Sequence, residues 1–300
     1  MEEEGYGKSF PAAVAASAAV CGPIIPPSIP LIVYGAALGM SISELFIGSL
    51  IPGLIVGFGF GITAYTISRK RRFPKHEKVD FLTGFKTIRD GLWALLMPVI
   101  ILGGIFFGIY TPTEAAVIAV VYGLFVGLFI YREITLRKLW GVIIEAAISS
   151  AVIMMILATS KISGVLVVVN HVSEAVANSI LAITTARLGV LLLVNAFLLV
   201  VGCLMEANAA VVILTPILVP LVAKVGMEPL EFGVIMVFNI CLGLLTPPVG
   251  ATLLLANDIA RANMGQTIKE TMPFFVVGLG VLALITVFPQ LITFLPNYLK

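Results

Sequence analysis

The sequence predicts an all-α polytopic membrane protein, and three observations support that prediction. Hydrophobic residues make up 60% of the 300 residues, charged residues only 11%, and the mean hydropathy is +1.12. Soluble domains average about 45–50% apolar and about 25% charged residues. A soluble fold of this size cannot bury so much apolar surface, whereas a bilayer accepts an apolar exterior. The third observation is that the apolar residues are grouped into long runs.

Apolar runs suited to crossing a bilayer recur along the whole chain. A crossing helix needs about 20 mostly apolar residues. The runs lie at 10–21, 23–40, 45–68, 92–110, 114–131, 140–160, 162–183, 188–205, 209–223, 230–256 and 272–296. The run at 162–183 contains Asn170, His171, Glu174 and Asn178, so we expect it to be interfacial or only partly inserted.

The basic residues indicate how these spans are oriented. Most of the 18 Lys and Arg residues lie in the segments 69–90, 132–139 and 257–271. By the positive-inside rule, all three segments face the cytoplasm. The spans then alternate without conflict, and a hairpin of 188–205 and 209–223 enters and leaves from the outside. The segment 69–90 is expected to be a cytoplasmic connector, which could also contact anionic lipid headgroups.

Other functional classes find little support in the sequence. Cys21, Cys203 and Cys241 lie in apolar runs without the spacing of a metal site or a disulfide framework. There is no basic face with interleaved aromatic residues, so no nucleic acid is expected as a partner. The polar residues at membrane depth include no pair of acids and no nucleophile beside a base. An intramembrane enzyme is therefore not predicted.

Two segments share the pattern Gly-x-x-x-Pro-Pro within otherwise apolar sequence. They are Gly22–Ser28 and Gly243–Gly250. A Pro-Pro pair removes two backbone donors and disfavours helical geometry in the preceding residue. We therefore predict that each segment breaks a helix near the middle of the membrane, where it is buried in protein or lines a polar cavity. In the predicted topology the two runs are antiparallel, as an inverted repeat requires, and paired broken helices mark binding sites in transporters.

A hairpin with an acidic turn precedes the second break. The turn is Glu206-Ala207-Asn208, and an acid between two apolar arms is costly unless it faces a cavity or a partner. Glu206 lies 37 residues before Gly243, and the same count back from Gly22 falls before residue 1. We therefore expect the first copy of this hairpin to lie outside the chain, which leaves the first repeat truncated.

These features predict four parts of the chain. Residues 1–68 are the remnant of the first repeat, with the end of its hairpin, the broken helix and the following span. Residues 69–90 are the basic connector, and residues 91–187 are scaffold spans. Residues 188–300 form the second repeat, with its hairpin, broken helix and terminal span.

A polar turn is expected between two of the scaffold spans. Thr111, Thr113 and Glu114 stand between the apolar runs 92–110 and 114–131. We predict a helix start at this turn, with Thr113 as the capping residue.

Four motifs resemble a known family of membrane proteins. They are GPIIPPSIP at 22–30, PVIILGGIFFGIYTPTEAA at 98–116, LTPILVP at 214–220 and GLLTPPVG at 243–250. The chain resembles, over essentially its whole length, the large membrane subunit of tripartite ATP-independent periplasmic (TRAP) transporters, the DctM type. The resemblance implies an ion-transporter-superfamily architecture, with broken helices and re-entrant hairpins in a mobile domain. It also implies sodium-driven import of carboxylate-bearing solutes, for example C4-dicarboxylates, across the cell inner membrane.

The resemblance implies two protein partners as well. A periplasmic solute-binding protein would deliver the substrate, and a small four-helix membrane subunit would join the large one. No cofactor is implied apart from sodium as the coupling ion. The sequence departs from the family where Ala18, Ala19 and Val20 replace residues that are often Ser or Thr. It departs again at the hairpin turn, where the family often has an Asp followed by Thr residues and this sequence has Glu206, Ala207 and Asn208.

The candidate ion and substrate ligands fall at the two breaks and the hairpin turn. Sodium prefers oxygen ligands, which unwound backbone and the C-terminal ends of half-helices supply. The ion-binding candidates are Gly22, Pro26, Ser28, Asn239, Gly243, Thr246 and Gly250. The N-terminal ends of half-helices would face the substrate carboxylate. The substrate-binding candidates are Pro27, Glu206, Asn208 and Pro247.

Two alternative functions stay open at this stage. The chain could be a stand-alone ion-coupled permease, which a gene neighbourhood lacking a binding-protein gene would favour. It could instead be an inactive fragment of a split or mis-started subunit. Coding sequence immediately upstream that continues the reading frame would indicate the fragment.

Overall fold

The computed structural model describes residues 1, 5–73, 81–247 and 249–299, and these residues contain thirteen α-helices and no strand. The helices are α1 Ser9–Cys21, α2 Ile29–Leu38, α3 Ile42–Lys70, α4 Phe81–Phe106, α5 Pro112–Phe125, α6 Leu136–Val169, α7 Val172–Ile183, α8 Arg187–Leu204, α9 Ala207–Lys224, α10 Pro229–Gly243, α11 Ala251–Ala260, α12 Met264–Val287 and α13 Gln290–Leu299. A π-helical segment, Val126–Ile130, extends α5. Six stretches of the described residues are long and apolar enough to cross a membrane. The predicted all-α polytopic membrane fold is therefore confirmed.

The chain divides into two compact units. One comprises Met1–Pro74 and Ile156–Lys300, and the other comprises Lys75–Met155. In the second unit α4 packs against α5, and the Tyr122 hydroxyl donates a hydrogen bond of 2.7 Å to the Trp93 carbonyl. The predicted division into four parts stays a prediction. Part of its basic connector, residues 74–80, lies outside the described residues.

Helix ends differ from the predicted spans where a local backbone feature stops the helix. The run 272–296 is divided between α12 and α13 at Pro289, which has no N–H to continue a helical ladder. By contrast, α6 runs through 140–160 and on into 162–183. It ends shortly before His171, which has the left-handed conformation with φ of +52°.

Thr111 caps α5, so the prediction that Thr113 is the capping residue is wrong. The Thr111 hydroxyl accepts from the Glu114 amide at 3.3 Å, and the Glu114 carboxylate accepts from the Thr111 amide at 2.7 Å. This reciprocal pair is a capping box. Pro112 explains the position, because its fixed φ and missing N–H suit the first helical residue and leave the cap to the residue before it.

The capping box gives a prediction with a matched control. We expect Thr111→Ala to lower the free energy of unfolding by about 1 kcal/mol, because it leaves an amide at the helix start without its acceptor. Thr113→Ala should have a much smaller effect. Thermal unfolding of the two purified variants measures both changes. Equal losses of stability would contradict the assignment of Thr111 as the cap.

The two broken helices run antiparallel in the first unit. α1 packs against α11, and α2 packs against α10. The start of α1 meets the end of α11, because Ser9 and Arg261 line the same cavity. At the other end, the Tyr34 hydroxyl of α2 donates to the Pro229 carbonyl of α10 at 2.7 Å. The helices that follow the two breaks pack in the same reciprocal way. α12, which follows α11, packs on α1, and α3, which follows α2, packs on α10. This is the arrangement that the inverted repeat predicts.

Two of the basic segments lie at the same end of the first unit. Arg71, from the first basic segment, binds Glu270, from the third, through two contacts of 2.8 Å each. Such a two-fold contact matches the fork of the guanidinium to the carboxylate. This proximity agrees with the predicted topology, which places both segments on one side of the membrane.

The α8–α9 hairpin covers only one half of the antiparallel pair. It packs on α10 and on α2, whose Tyr34 is 0% exposed. The two break motifs lie 221 positions apart in the sequence, from Gly22 to Gly243. By this offset Leu255 of α11 is the equivalent of Tyr34, and it is 63% exposed. In the same way Ala19 of α1 is exposed, whereas the equivalent Ile240 of α10 is buried. The two halves of the pair therefore share a backbone plan but differ in what surrounds them.

Candidate functional site

The first break, between α1 and α2, leaves several carbonyl groups free. The Ser28 hydroxyl donates to the Pro23 carbonyl and accepts from the Leu31 amide at 3.3 Å, so it caps α2 and shapes the loop. No donor in the described part of the chain reaches the carbonyl oxygens of residues 24–27. Prolines cause this, because Pro26, Pro27 and Pro30 bring no N–H to the segment. The break is thus a short stretch of unwound backbone rich in acceptors.

The second break, between α10 and α11, is a tighter turn. The Thr246 amide and hydroxyl both donate to the Gly243 carbonyl, at 2.9 and 2.7 Å. Gly250 has φ of +44°, and a Cβ there would lie 2.7 Å from the Thr246 carbonyl oxygen. A glycine is therefore required at residue 250. Among the described residues, no donor reaches the carbonyl oxygens of Leu245 and Pro247.

The tip of the α8–α9 hairpin lies against this second break. The Cys203 carbonyl accepts from the Gly250 amide at 3.3 Å, and the Cys203 thiol lies 3.0 Å from the Thr246 carbonyl oxygen. At the turn, Glu206 caps α9 by accepting from the Ala209 amide at 3.0 Å. The Glu206 carboxylate also accepts from the Asn208 amide group at 2.8 Å. The hairpin turn and the break therefore form one continuous set of polar backbone and side-chain groups.

The hairpin reaches the break because two glycines let α8 and α10 touch. A Cβ on Gly202 would lie 2.5 Å from the Ile240 carbonyl oxygen, and one on Gly243 would lie 2.7 Å from the Gly202 carbonyl carbon. The two helix backbones can approach this closely only because residues 202 and 243 have no side chain. The pair fixes the hairpin tip against the end of α10.

Three buried polar side chains, one each on α8, α10 and α12, are joined by hydrogen bonds. The one on α10 lies about one turn before the second break. The Asn239 amide group donates to Asn195 on α8, to its side-chain oxygen at 2.7 Å and its backbone carbonyl at 3.0 Å. Asn195 in turn donates to the Thr286 hydroxyl on α12 at 3.0 Å. The remaining oxygen of Asn239, Oδ1, is buried and has no hydrogen-bond partner in the described structure. Buried acceptors are nearly always paired, so this oxygen requires an explanation.

Asn195 and Thr286 were not among the predicted site residues. Each is a single polar residue within an apolar run, which is a usable signal at membrane depth. What the sequence does not reveal is that three different helices bring these residues together with Asn239.

The structure assembles the predicted site residues in two groups. Gly22, Pro26, Pro27 and Ser28 lie in the first break. Gly243, Thr246, Pro247 and Gly250 lie in or beside the second, with Asn239 about one turn before it and Glu206 and Asn208 at the adjacent hairpin turn. Their assignment as ligands stays a prediction. The antiparallel packing of α1 with α11 and of α2 with α10 holds both breaks between the same two helix pairs.

Antiparallel broken helices, with a hairpin meeting one break, form an inverted-repeat arrangement that is typical of polytopic secondary transporters. A comparison with protein families matches residues 1–291 to the description "Tripartite ATP-independent periplasmic transporter, DctM component". The chain belongs to this DctM family of TRAP transporters. It is a multi-pass protein of the cell inner membrane.

Individual relatives agree with the family match. The chain is 41% identical to the isethionate TRAP transporter permease protein DctMQ of Oleidesulfovibrio alaskensis, over 97% of this chain and 46% of the relative. It is 33% identical to the sialic acid TRAP transporter permease protein SiaT of Haemophilus influenzae, over 100% and 48%. It is 35% identical to the C4-dicarboxylate TRAP transporter large permease protein DctM of Pseudomonas aeruginosa, over 100% and 70%. The chain thus spans about half the length of the first two relatives.

Proposed function

We propose that the chain is permease machinery of a sodium-coupled importer of carboxylate-bearing solutes, with its ion site at the two helix breaks. The main observation in support of this proposal is the pair of antiparallel breaks. Each break exposes backbone carbonyl oxygens that have no donor in the described structure. Irregular backbone inside a membrane protein is tolerated only where it is buried in protein or lines a cavity. Carbonyl groups left without donors there are available to a ligand. Sodium moving down its gradient would supply the driving force.

The available ligands suit a hard monovalent cation. Carbonyl groups of the first break, the Thr246 hydroxyl oxygen and Asn239 Oδ1 are all neutral oxygen acceptors. Thr246 gives its proton to Gly243, so its oxygen lone pairs remain for a cation. The C-terminal ends of α1 and α10 add partial negative charge beside the breaks. These features support an ion site without a carboxylate ligand.

An organic anion is the solute class that the chain's relatives suggest. Isethionate, sialic acid and C4-dicarboxylate appear in the names of the three relatives described above. All three are organic anions, and the last two carry carboxylates. The N-terminal ends of α2 and α11, directly after the breaks, carry the partial positive charge that favours a carboxylate. Pro27 and Pro247 lie in the breaks just before these helices and are both exposed. We include them, with Glu206 and Asn208 at the hairpin turn, in the proposed solute site.

The proposal extends to partners. A small membrane subunit and a periplasmic solute-binding protein would complete the transporter, as the tripartite family description suggests. Exposed apolar side chains of the second unit, such as Val117 and Phe125, offer surface to lipid or to a membrane partner.

Replacing Thr246 tests the ion site directly. A ligand that binds only the folded protein raises its melting temperature, Tm, as the ligand concentration rises. We expect sodium chloride, compared with choline chloride, to raise the Tm of the purified chain. Thr246→Val should require about tenfold more sodium for the same rise, which corresponds to about 1.4 kcal/mol of lost binding.

The control for this test is Thr63→Val on α3. Thr63 makes the same kind of bond to its own helix, to the Gly59 carbonyl at 2.8 Å, but belongs to neither break. It should leave the sodium response unchanged. A wild-type protein that responds equally to sodium and choline would refute sodium binding by the chain. An unchanged response in Thr246→Val would remove Thr246 from the site.

A further inference from the structure

The hydrogen bonds between Thr286, Asn195 and Asn239 run in one direction only. Thr286 donates its single hydroxyl proton to the Leu282 carbonyl, at 2.7 Å, and a carbonyl can only accept. The Thr286 oxygen must therefore accept from Asn195, whose NH₂ group lies 3.0 Å away. This orients the Asn195 amide so that its oxygen faces Asn239.

The same logic fixes the Asn239 side chain. Its NH₂ group meets two acceptors of Asn195, the side-chain oxygen at 2.7 Å and the backbone carbonyl at 3.0 Å. Rotating the amide by 180° would place Asn239 Oδ1 against both oxygens, where no proton is available. The series of hydrogen bonds that begins at the Leu282 carbonyl therefore holds Asn239 Oδ1 in a position where it has no partner among the described residues.

An acceptor fixed in this way is a prepared ligand. Asn239 is 0% exposed, Thr286 4% and Asn195 8%, so bulk water does not satisfy the free oxygen. A carbonyl oxygen left unpaired at such a depth is costly unless a cation or an ordered water binds it. Asn239 also lies about one turn before the break at Gly243, on the helix whose end carries partial negative charge.

We propose that Asn195 and Thr286 are positioning residues that present Asn239 Oδ1 to the coupling cation. Asn195 and Thr286 do not touch the ion in this proposal, and they act through the orientation of the Asn239 amide. The inference rests on the proposed sodium coupling and adds two residues that the break motifs do not contain. It also gives a role to the packing of α12 on α10, because α12 carries Thr286, whose hydroxyl orients the Asn195 amide.

The experiment removes the Thr286 hydroxyl, which is the first side-chain group in this series of hydrogen bonds. Thr286→Val keeps the shape of the side chain but removes the acceptor, so Asn195 and Asn239 become free to rotate. We expect about tenfold more sodium chloride to be needed for half of the maximal rise in Tm of the purified chain. Thr286→Ser restores the hydroxyl and should restore the wild-type response. Asn195→Ala breaks the same series at its middle and should weaken the response in the same way.

Thr271→Val on the same helix is the matched control. Thr271 is 2% exposed and bonds back to the Thr267 carbonyl at 2.8 Å, as Thr286 does to Leu282. It should lower stability without changing the sodium dependence. A tenfold shift in Thr271→Val, or none in Thr286→Val and Asn195→Ala, would overturn the inference. If Thr286→Val does not fold, the Asn195→Ala result alone decides.

This test separates two failures. A wild-type protein with no sodium response contradicts the proposed function itself. A wild-type response that persists in Thr286→Val and Asn195→Ala contradicts only the orienting role. Because residues in one hydrogen-bond series are coupled, the double variant should show much less than the sum of the two single effects.

Discussion

Replacing Pro26 and Pro27 together by alanine should reduce sodium-driven solute uptake by about 100-fold while the protein stays folded. Alanine restores two N–H groups and the strongest intrinsic helix preference, so residues 24–28 can become helical after Pro23. The carbonyl groups that the break now leaves free would then accept helical hydrogen bonds. Losing two such ligands, at about 1.4 kcal/mol each, corresponds to the expected factor of about 100.

Uptake of a radiolabelled C4-dicarboxylate into proteoliposomes that contain the assembled transporter measures this effect. Pro98→Ala is the control, because Pro98 lies inside α4 in the other unit and should not affect uptake. The sodium-dependent rise in Tm should disappear with the double substitution. Full uptake by the double variant would show that the first break is not part of the site.

The largest effect on stability is expected at the contact of the two glycines. Gly202→Ala and Gly243→Ala each introduce a Cβ within 2.5–2.9 Å of backbone atoms of the facing helix, and backbone cannot move aside as a flexible side chain can. We expect each to lower the free energy of unfolding by about 3 kcal/mol, at the upper end for overpacking. The α8–α9 hairpin should separate from the second break, and sodium binding should be lost with it.

Gly280→Ala is the matched control for this prediction. Gly280 lies inside α12, and a Cβ there would meet no atom within 4 Å. Alanine at this position should be neutral or stabilising by about 0.5–1 kcal/mol, because glycine is the poorer helix former. Thermal unfolding of the three variants gives the comparison. Similar stability for all three would mean that α8 and α10 do not cross as closely as described.

The features that depended on local chemistry were predicted from the sequence. Pro26 and Pro27 stop α1 wherever the chain is placed, since a proline lacks its N–H in any surroundings. The antiparallel arrangement followed from the positions of basic residues, which the membrane orients independently of packing. The prediction failed at Thr113 because Pro112 takes the first helical position and leaves the cap to Thr111.

The features that depended on helix packing were not predicted. Asn195 and Thr286 lie 91 residues apart, and their apolar surroundings give no sign that they share a hydrogen bond. The contact of Gly202 with Gly243 likewise exists only once α8 crosses α10. The sequence therefore indicates where the backbone opens, and the packing of α8, α10 and α12 determines which side chains reach the opening.

The most direct measurement is a cryo-electron microscopy map of the chain in lipid nanodiscs with sodium. We expect interrupted helices at residues 22–28 and 243–250, running in opposite directions, with ion density within contact distance of oxygen atoms from these segments or from Asn239. Continuous helix through either segment, or density showing both segments against lipid acyl chains, would contradict this expectation.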